Sequence, residues 1–492
     1  MITVIKQILR NSYNSPTIMT WFGFSAKSLS LIVVLPLILS NFSKSEISLW
    51  YLFSILFGFQ MIADLGFGTT FTRIISYGMS GLSNLDSKDL KIHNKWIDNK
   101  PNWNFIFSVR KYMNRVYLVI SIIFIFLITI TSLKFLNTPI ERLENPNAGY
   151  ALLFLILVVL FFKVNNRKSV SFISGVNEVA LLRRWEGIFT YLQIFSSIII
   201  LLTTSSFVLL VINNQLWIII GVLRNIFIEK KIIAKNIFNS SNFNPNFEIN
   251  KKNIKTHIFS PAIKSGIGVL SSYGISQFSA FVLIDFLSES DLIVYLISFR
   301  FISIISEFSR APFYARIPYF NQLYKSGNKT LLLLKVKSSI DKSILLAIVC
   351  SLFILLFGDI VLELIKSSLK EINPLLWFLF SLNLVFERLG AMHFQMHSFS
   401  NKVIWHKANL IYGFIFIVIS YFLIDHFGVY TVPIAMLSGN TFYYTFFGIK
   451  STFLDYNYAF FKFNSRILYY TLVLILINTT YLFYHNELFI SN

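Results

Sequence analysis

Three charged residues, Arg300, Glu307 and Arg310, lie inside one apolar stretch at i, i+7 and i+10, with Ser303 between them. On a helix those offsets share a face, and a stripe of guanidinium and carboxylate groups can hold an anion or exchange an ion. The alternative is a neutralised cluster that only fixes packing. An earlier apolar stretch starting at Glu46 contains Asp64 and Arg73. A shift of 243 positions lays Glu46 on Glu289, Asp64 on Glu307 and Arg73 on Arg316. A carboxylate and an arginine that return at one spacing read as an internal duplication. Charge at membrane depth costs about 2.5–3.5 kcal/mol per group on insertion scales, so such groups point to a protein interior or a watery cavity. Gly66 and Gly68 follow the aspartate, and glycine lets a helix loosen where other groups satisfy the freed backbone.

More cations sit at similar depth. Asn165, Asn166, Arg167 and Lys168 end one apolar run, and Glu387, Arg388 and His393 lie in another that occupies the same slot in the second half. The exits of these two runs correspond, SGVNEVALLRRW beside SFSNKVIWHKAN, with Asn177 opposite Asn401. Arginine binds phosphate oxygens in a bidentate way and keeps its charge when buried, so these groups suit the passage of an anionic head group. Competing readings stay open. Arg167 and Lys168 also fit a cytoplasmic boundary, and Arg73, Arg316 and Lys27 fit cations snorkelling to the membrane surface. Asp64, Glu307 and Glu387 can couple transport to Na⁺ or H⁺, or pair with the nearby arginines. His393 and His397 have the i, i+4 spacing of a metal site. No Glu follows His393 and no third ligand is evident, so neither a metal nor another cofactor is expected.

These residues need a scaffold, and composition says which. Of 492 residues 55% are hydrophobic and 13% charged, which fits an all-α polytopic membrane protein. The net charge of +20 lies in short loops between apolar runs and forms no single patch, so nucleic acid is not the expected partner. The lone cysteine, Cys350, excludes an intrachain disulfide. The first apolar run is too long for a signal-peptide core and is read as retained.

At roughly 20 apolar residues per crossing, spans fall near 17–40, 47–79, 113–134, 149–173, 187–209 and 215–236. A second set falls near 262–287, 290–313, 341–365, 372–398, 403–424 and 428–449, with a final span at 466–484. The expectation is two pseudo-symmetric six-helix bundles, 1–236 and 258–450, joined by an Asn- and Lys-rich cytoplasmic linker, 237–257. An extra helix occupies 451–492. Duplicated bundles of this kind place substrate at their interface. Basic residues alternate between loops as a cytoplasmic N-terminus requires. Lys88, Lys91, Lys95, Lys100, Arg110 and Lys111 fall in the second loop, Arg183 and Arg184 in the fourth, and Lys230, Lys231 and Lys235 in the sixth. Lys6 and Arg10 form a basic amphipathic lead-in. Lys366 and Lys370 are exceptions beside Asp359, Glu363 and Glu371. A Gly-rich phosphate loop, a nucleophile elbow, a zinc signature and a soluble domain for a nucleotide sugar are all missing from the sequence, which argues against an ATP-driven pump or a conventional glycosyltransferase, and no enzyme is expected.

The chain resembles the oligosaccharide flippases of the multidrug/oligosaccharidyl-lipid/polysaccharide (MOP) superfamily, and most of all their O-antigen and capsule branch. The likeness rests on the basic lead-in, a first helix ending in LPLIL, E-x-x-x-W-Y-L-F from Glu46, D-L-G-F-G-x-x-x-x-R from Asp64 to Arg73, and the exit at Asn401 and Lys402. It implies a bacterial inner-membrane protein that carries an undecaprenyl-pyrophosphate-linked repeat unit outward by alternating access. Lys27, Arg73, Arg300, Arg316 and Arg388 would then meet the pyrophosphate. Asp64, Glu307 and Glu387 would gate or couple, and polysaccharide polymerase and chain-length machinery would be partners of a monomer. One extra helix, where the peptidoglycan-precursor branch has two, separates the chain from that branch. The rivals are a cation-coupled drug exporter of the same superfamily, for which so many arginines are unfavourable, and a membrane polymerase, for which no outer loop is long enough.

Overall fold

In a computed structural model of the chain, the described residues are 7, 11–85, 100–238, 244, 251–284, 289–364, 371–458 and 460–490. Lys6, Arg10, Lys88, Lys91, Lys95, Lys366, Lys370, most of the expected linker and the side chain of Lys27 lie outside them. The described residues are mostly helical, with no strand among them. Among the described residues, eight helical runs are long and apolar enough to cross a membrane. The chain divides into one unit of residues 1–266 and 321–327 and a second of 267–320 and 328–492.

In the first unit, α1 (Pro16–Leu29) continues through a π-helical turn, Ser30–Val34, into α2 (Leu35–Asn41). A reciprocal cap opens α3 (Lys44–Ala63): the Ser43 amide donates to Glu46 Oε2 at 2.9 Å, and the Glu46 amide to Ser43 Oγ at 3.4 Å. Glu46 is thus a helix cap. After a break comes α4 (Phe67–Met79), and then α5 (Trp103–Glu141). The apolar span expected at 113–134 begins ten residues earlier as helix, because Asn102 accepts from the Phe105 amide at 3.1 Å and starts it there. Arg110 and Lys111, expected in a loop, therefore sit on α5. Asn145 caps α6 (Pro146–Asn165), whose proline sits where no donor is needed; α7 (Arg167–Gly175) follows after Asn166.

The span expected at 187–209 straddles a turn. The helix there is α8 (Val179–Thr203), and α9 (Phe207–Phe238) starts anew. Thr203, Thr204 and Ser205 hydroxyls bind the carbonyls of Ile199, Ile200 and Leu201, and Ser205 adopts φ 45°, closing the helix. Apolarity alone cannot see that stop. Basic side chains assigned to loops, Arg183, Arg184, Lys230, Lys231 and Lys235, ride on helix that extends beyond the apolar core. A short α10 (Lys251–Ile254) and a π-helical turn lead into α11 (Ser260–Ile284).

The second unit contains α12 (Glu289–Tyr314), α14 (Lys329–Leu364) and α15 (Pro374–Ser398), the last capped by Asn373; α13 (Ile317–Lys325) links the first two. Next come α16 (Trp405–Phe427), α17 (Thr431–Gly439), α18 (Thr445–Tyr456) and α19 (Phe460–Ile490). Phe71, Phe105, Tyr117 and Phe172 anchor one apolar core of the first unit, and Tyr295, Trp377 and Phe380 that of the second. Outward faces are equally apolar: Phe126 and Phe135 on α5 are 65% and 68% exposed, as a lipid-facing helix requires. The paired exits match in backbone too. Asn177 and Asn401 follow α7 and α15 with φ of 69° and 62°, each amide bonding the carbonyl three residues back at 2.9 Å. Asparagine is the residue, after glycine, that best tolerates this left-handed helix end.

Candidate substrate site

Asp64 stands at the break between α3 and α4. Leu65 and Gly66 turn the chain with φ of 43° and 73°. A side chain at Gly66 would come within 2.7 Å of the Ala262 carbonyl oxygen, so the tight approach of α11 requires glycine. The hydroxyls of Thr69 and Thr70 take up the Gly66 carbonyl at 3.0 and 3.1 Å. Asp64 itself is 6% exposed. Its Oδ2 accepts from the Gly68 amide at 3.1 Å, and its Oδ1 from the Tyr117 hydroxyl on α5 at 2.7 Å. Arg167, the first residue of α7, approaches Oδ2 at 3.9 Å, the outer limit of an ion pair. The two hydrogen bonds therefore fix the carboxylate, and the half-exposed guanidinium keeps donors for another acceptor.

Arg167 and Lys168 occupy the second break, between α6 and α7. One residue on, Ser169 donates to Glu229 Oε2 at 2.5 Å, while Arg110 Nε of α5 pairs with Glu229 Oε1. Glu229 is 3% exposed and bridges three helices. Sequence reasoning missed Glu229, Arg110, Ser169 and Tyr117 as functional residues. The available signal was that Glu229 is the one acid in the whole of α9. Arg73 is buried on α4 beside Ile74 and Ile75.

In the second unit, Arg388 is 4% exposed in the middle of α15. Its Nη2 donates to the Ser306 carbonyl at 3.1 Å and to the Ser306 hydroxyl, and lies 3.5 Å from Glu387 Oε2. Among the described residues its buried Nε finds no acceptor. Glu307 and Arg310 pair with each other at 3.2 Å with half-exposed side chains, and Arg300 on the same helix is exposed. Arg316 is half-buried at the turn between α12 and α13. The spacing that matched Asp64 with Glu307 thus joins unlike settings: a buried carboxylate at a break, and a half-exposed one in continuous helix. A polar strip lies further along: Asn440, in a π-helical turn, donates to Asn383 of α15 at 2.7 Å.

His393 Nδ1 lies 2.7 Å from the Thr452 hydroxyl, and His397 Nδ1 lies 2.5 Å from Asp455 Oδ2. Both histidines tie α15 to α18, each to its own partner. Among the described residues no three metal-ligating side chains converge.

No family model matches the chain, and no curated protein matches it in sequence. Solved structures match over nearly its whole length. An outward-facing multidrug resistance MATE family transporter of the MOP superfamily is 16% identical with a TM-score of 0.67, over 91% of this chain and 95% of that one. MATE in the bent conformation is 15% identical with a TM-score of 0.64, over 94% and 97%. A MOP superfamily transporter from Pyrococcus furiosus Vc1 (DSM3638), whose binding pocket of reverse polarity suggests a different function, is 16% identical with a TM-score of 0.60, over 91% and 97%. The chain therefore has the all-helical fold of multi-pass MATE transporters of the MOP superfamily.

Proposed function

We propose that the protein is a transporter that flips an undecaprenyl-pyrophosphate-linked oligosaccharide repeat unit across the bacterial inner membrane, by alternating access, for O-antigen or capsule assembly. One observation carries the choice of an anionic cargo: Arg388 is a buried guanidinium whose Nε has no acceptor among the described residues. A buried donor left unmet costs about 1–3 kcal/mol, and more when charged, so a ligand oxygen that met it would be bound favourably. A pyrophosphate supplies such oxygens. Within the first unit, Arg73, Arg167 and Lys168 are cations, whereas Asp64 and Glu229 are already held by protein donors. Asp64, Glu307 and Glu387 are the groups proposed to gate or to couple Na⁺ or H⁺. The N-terminus is placed in the cytoplasm, and polymerase and chain-length machinery downstream.

The test is deletion of the gene followed by extraction of lipid-linked sugars and staining of surface polysaccharide. Intact repeat units retained on the cytoplasmic leaflet, with no polymer outside, are expected. Single units that reach the surface and stay unjoined would point to a polymerase instead. A second reading, drug export coupled to a cation, is favoured by the multidrug resistance transporter among the fold's relatives. It requires that expression in a pump-deficient strain raise resistance to cationic drugs, a gain the flippase reading does not expect.

A further inference from the structure

Outside the candidate substrate site, α8 and α9 leave a groove of about 630 Å³ between them within the first unit. Its wall is apolar and aromatic, including Trp185, Phe189 and Phe227. Its rim is cationic. Arg224, Lys231 and Lys235 all border it, with one carboxylate, Glu178, in the lining and a second, Glu186, acting on Arg224. The three cations lie at i, i+7 and i+11 on α9, one continuous stripe of the helix. At 1.5 Å per residue the stripe runs about 16 Å along the axis, longer than one phosphate group.

Arg224 is pre-set for this role. Its guanidinium carbon sits 5.0 Å from the Phe189 ring centre, and Nε and Nη2 both bond Asn225 Oδ1, at 3.0 and 2.8 Å. Those contacts hold the plane in place, half-buried, with its remaining nitrogen, Nη1, outside them. Lys231 and Lys235 are exposed. Apolar wall and cationic rim together match an amphiphile with a negatively charged head.

We propose that this groove is a binding site for an anionic glycerophospholipid of the surrounding bilayer, with a two-phosphate head preferred over a one-phosphate head because the cations span more than one phosphate. Acyl chains lie against Trp185, Phe189 and Phe227, and the head group bridges Arg224, Lys231 and Lys235. Basic clefts between membrane helices hold such head groups by charge and hydrogen bonding. The site is independent of the transport reading, since binding is measured without turnover.

The test uses the full chain in nanodiscs of neutral phosphatidylcholine doped with cardiolipin or phosphatidylglycerol brominated on their acyl chains. Quenching of tryptophan fluorescence by the brominated anionic lipid is expected, and Trp185→Phe should remove part of it. Lys231→Gln and Lys235→Gln are surface changes that leave folding intact, and each should weaken the lipid's apparent affinity roughly fivefold. Arg224→Gln should weaken it at least as much, and added salt should do so for the wild type. Equal quenching by brominated phosphatidylcholine, or unchanged affinity in the lysine variants, would overturn the proposal. So would binding of undecaprenyl phosphate in the same assay with no response to either phospholipid, which would assign the groove to an isoprenoid lipid.

Discussion

At the residue scale, the acids and the cations play opposite parts. Asp64 has its acceptor capacity used by Tyr117, Gly68 and, more distantly, Arg167. Removing the tyrosine hydroxyl should therefore loosen the junction of α4 with α5. Tyr117→Phe is expected to cost about 1–3 kcal/mol of stability, read as a lower thermal unfolding midpoint in detergent. Arg388 behaves differently, because its buried charge has a donor to spare. Charge reversal at Arg388 or at Arg300 should abolish transport of lipid-linked oligosaccharide while the protein still inserts. Arg388→Lys should rescue poorly, since an ammonium cannot bond Ser306 and a phosphate with one planar fork. Wild-type transport in both reversal variants would remove the anionic-cargo reading. Glu229 belongs here too: with Arg110 and Ser169 on it, Glu229→Gln should destabilise by about 3–5 kcal/mol, by leaving Arg110 a half-buried charge without its partner.

At the element scale, the molecule depends on broken and sharply ended helices. The α3–α4 break holds Gly66 at φ 73° against α11. Gly66→Ala combines left-handed strain, about 1–2 kcal/mol, with overlap on backbone, so a strong loss of folded protein on size-exclusion chromatography is expected. The ends of α7 and α15 offer a gentler paired test. Asn177→Gly and Asn401→Gly should keep or raise the thermal midpoint, whereas the alanine versions should lower stability by about 1 kcal/mol each. Equal effects in both halves would show that the two exits are equivalent in energy as well as in backbone.

At the scale of the whole molecule, the apolar composition and the long helical runs were plain in the sequence, because lipid forces every backbone polar group into helix. Local signals within it were also legible. Asp64 followed by two glycines announced the break, and the paired exit motifs announced Asn177 and Asn401. Helix ends were less so: a hydropathy window does not register Asn102 as a cap, or the hydroxyls of Thr203, Thr204 and Ser205 that close α8. What only the tertiary structure decided is which charges meet. Arg110 and Glu229 lie 119 residues apart, the first expected in a loop and the second inside the span 215–236, yet they pair inside the first unit. Asp64 and Glu307 share a spacing, yet one is buried under Tyr117 and the other half-exposed beside Arg310. Periodicity and hydropathy are properties of neighbours along the chain. An ion pair depends on the packing of distant helices, and no one-dimensional pattern encodes that distance.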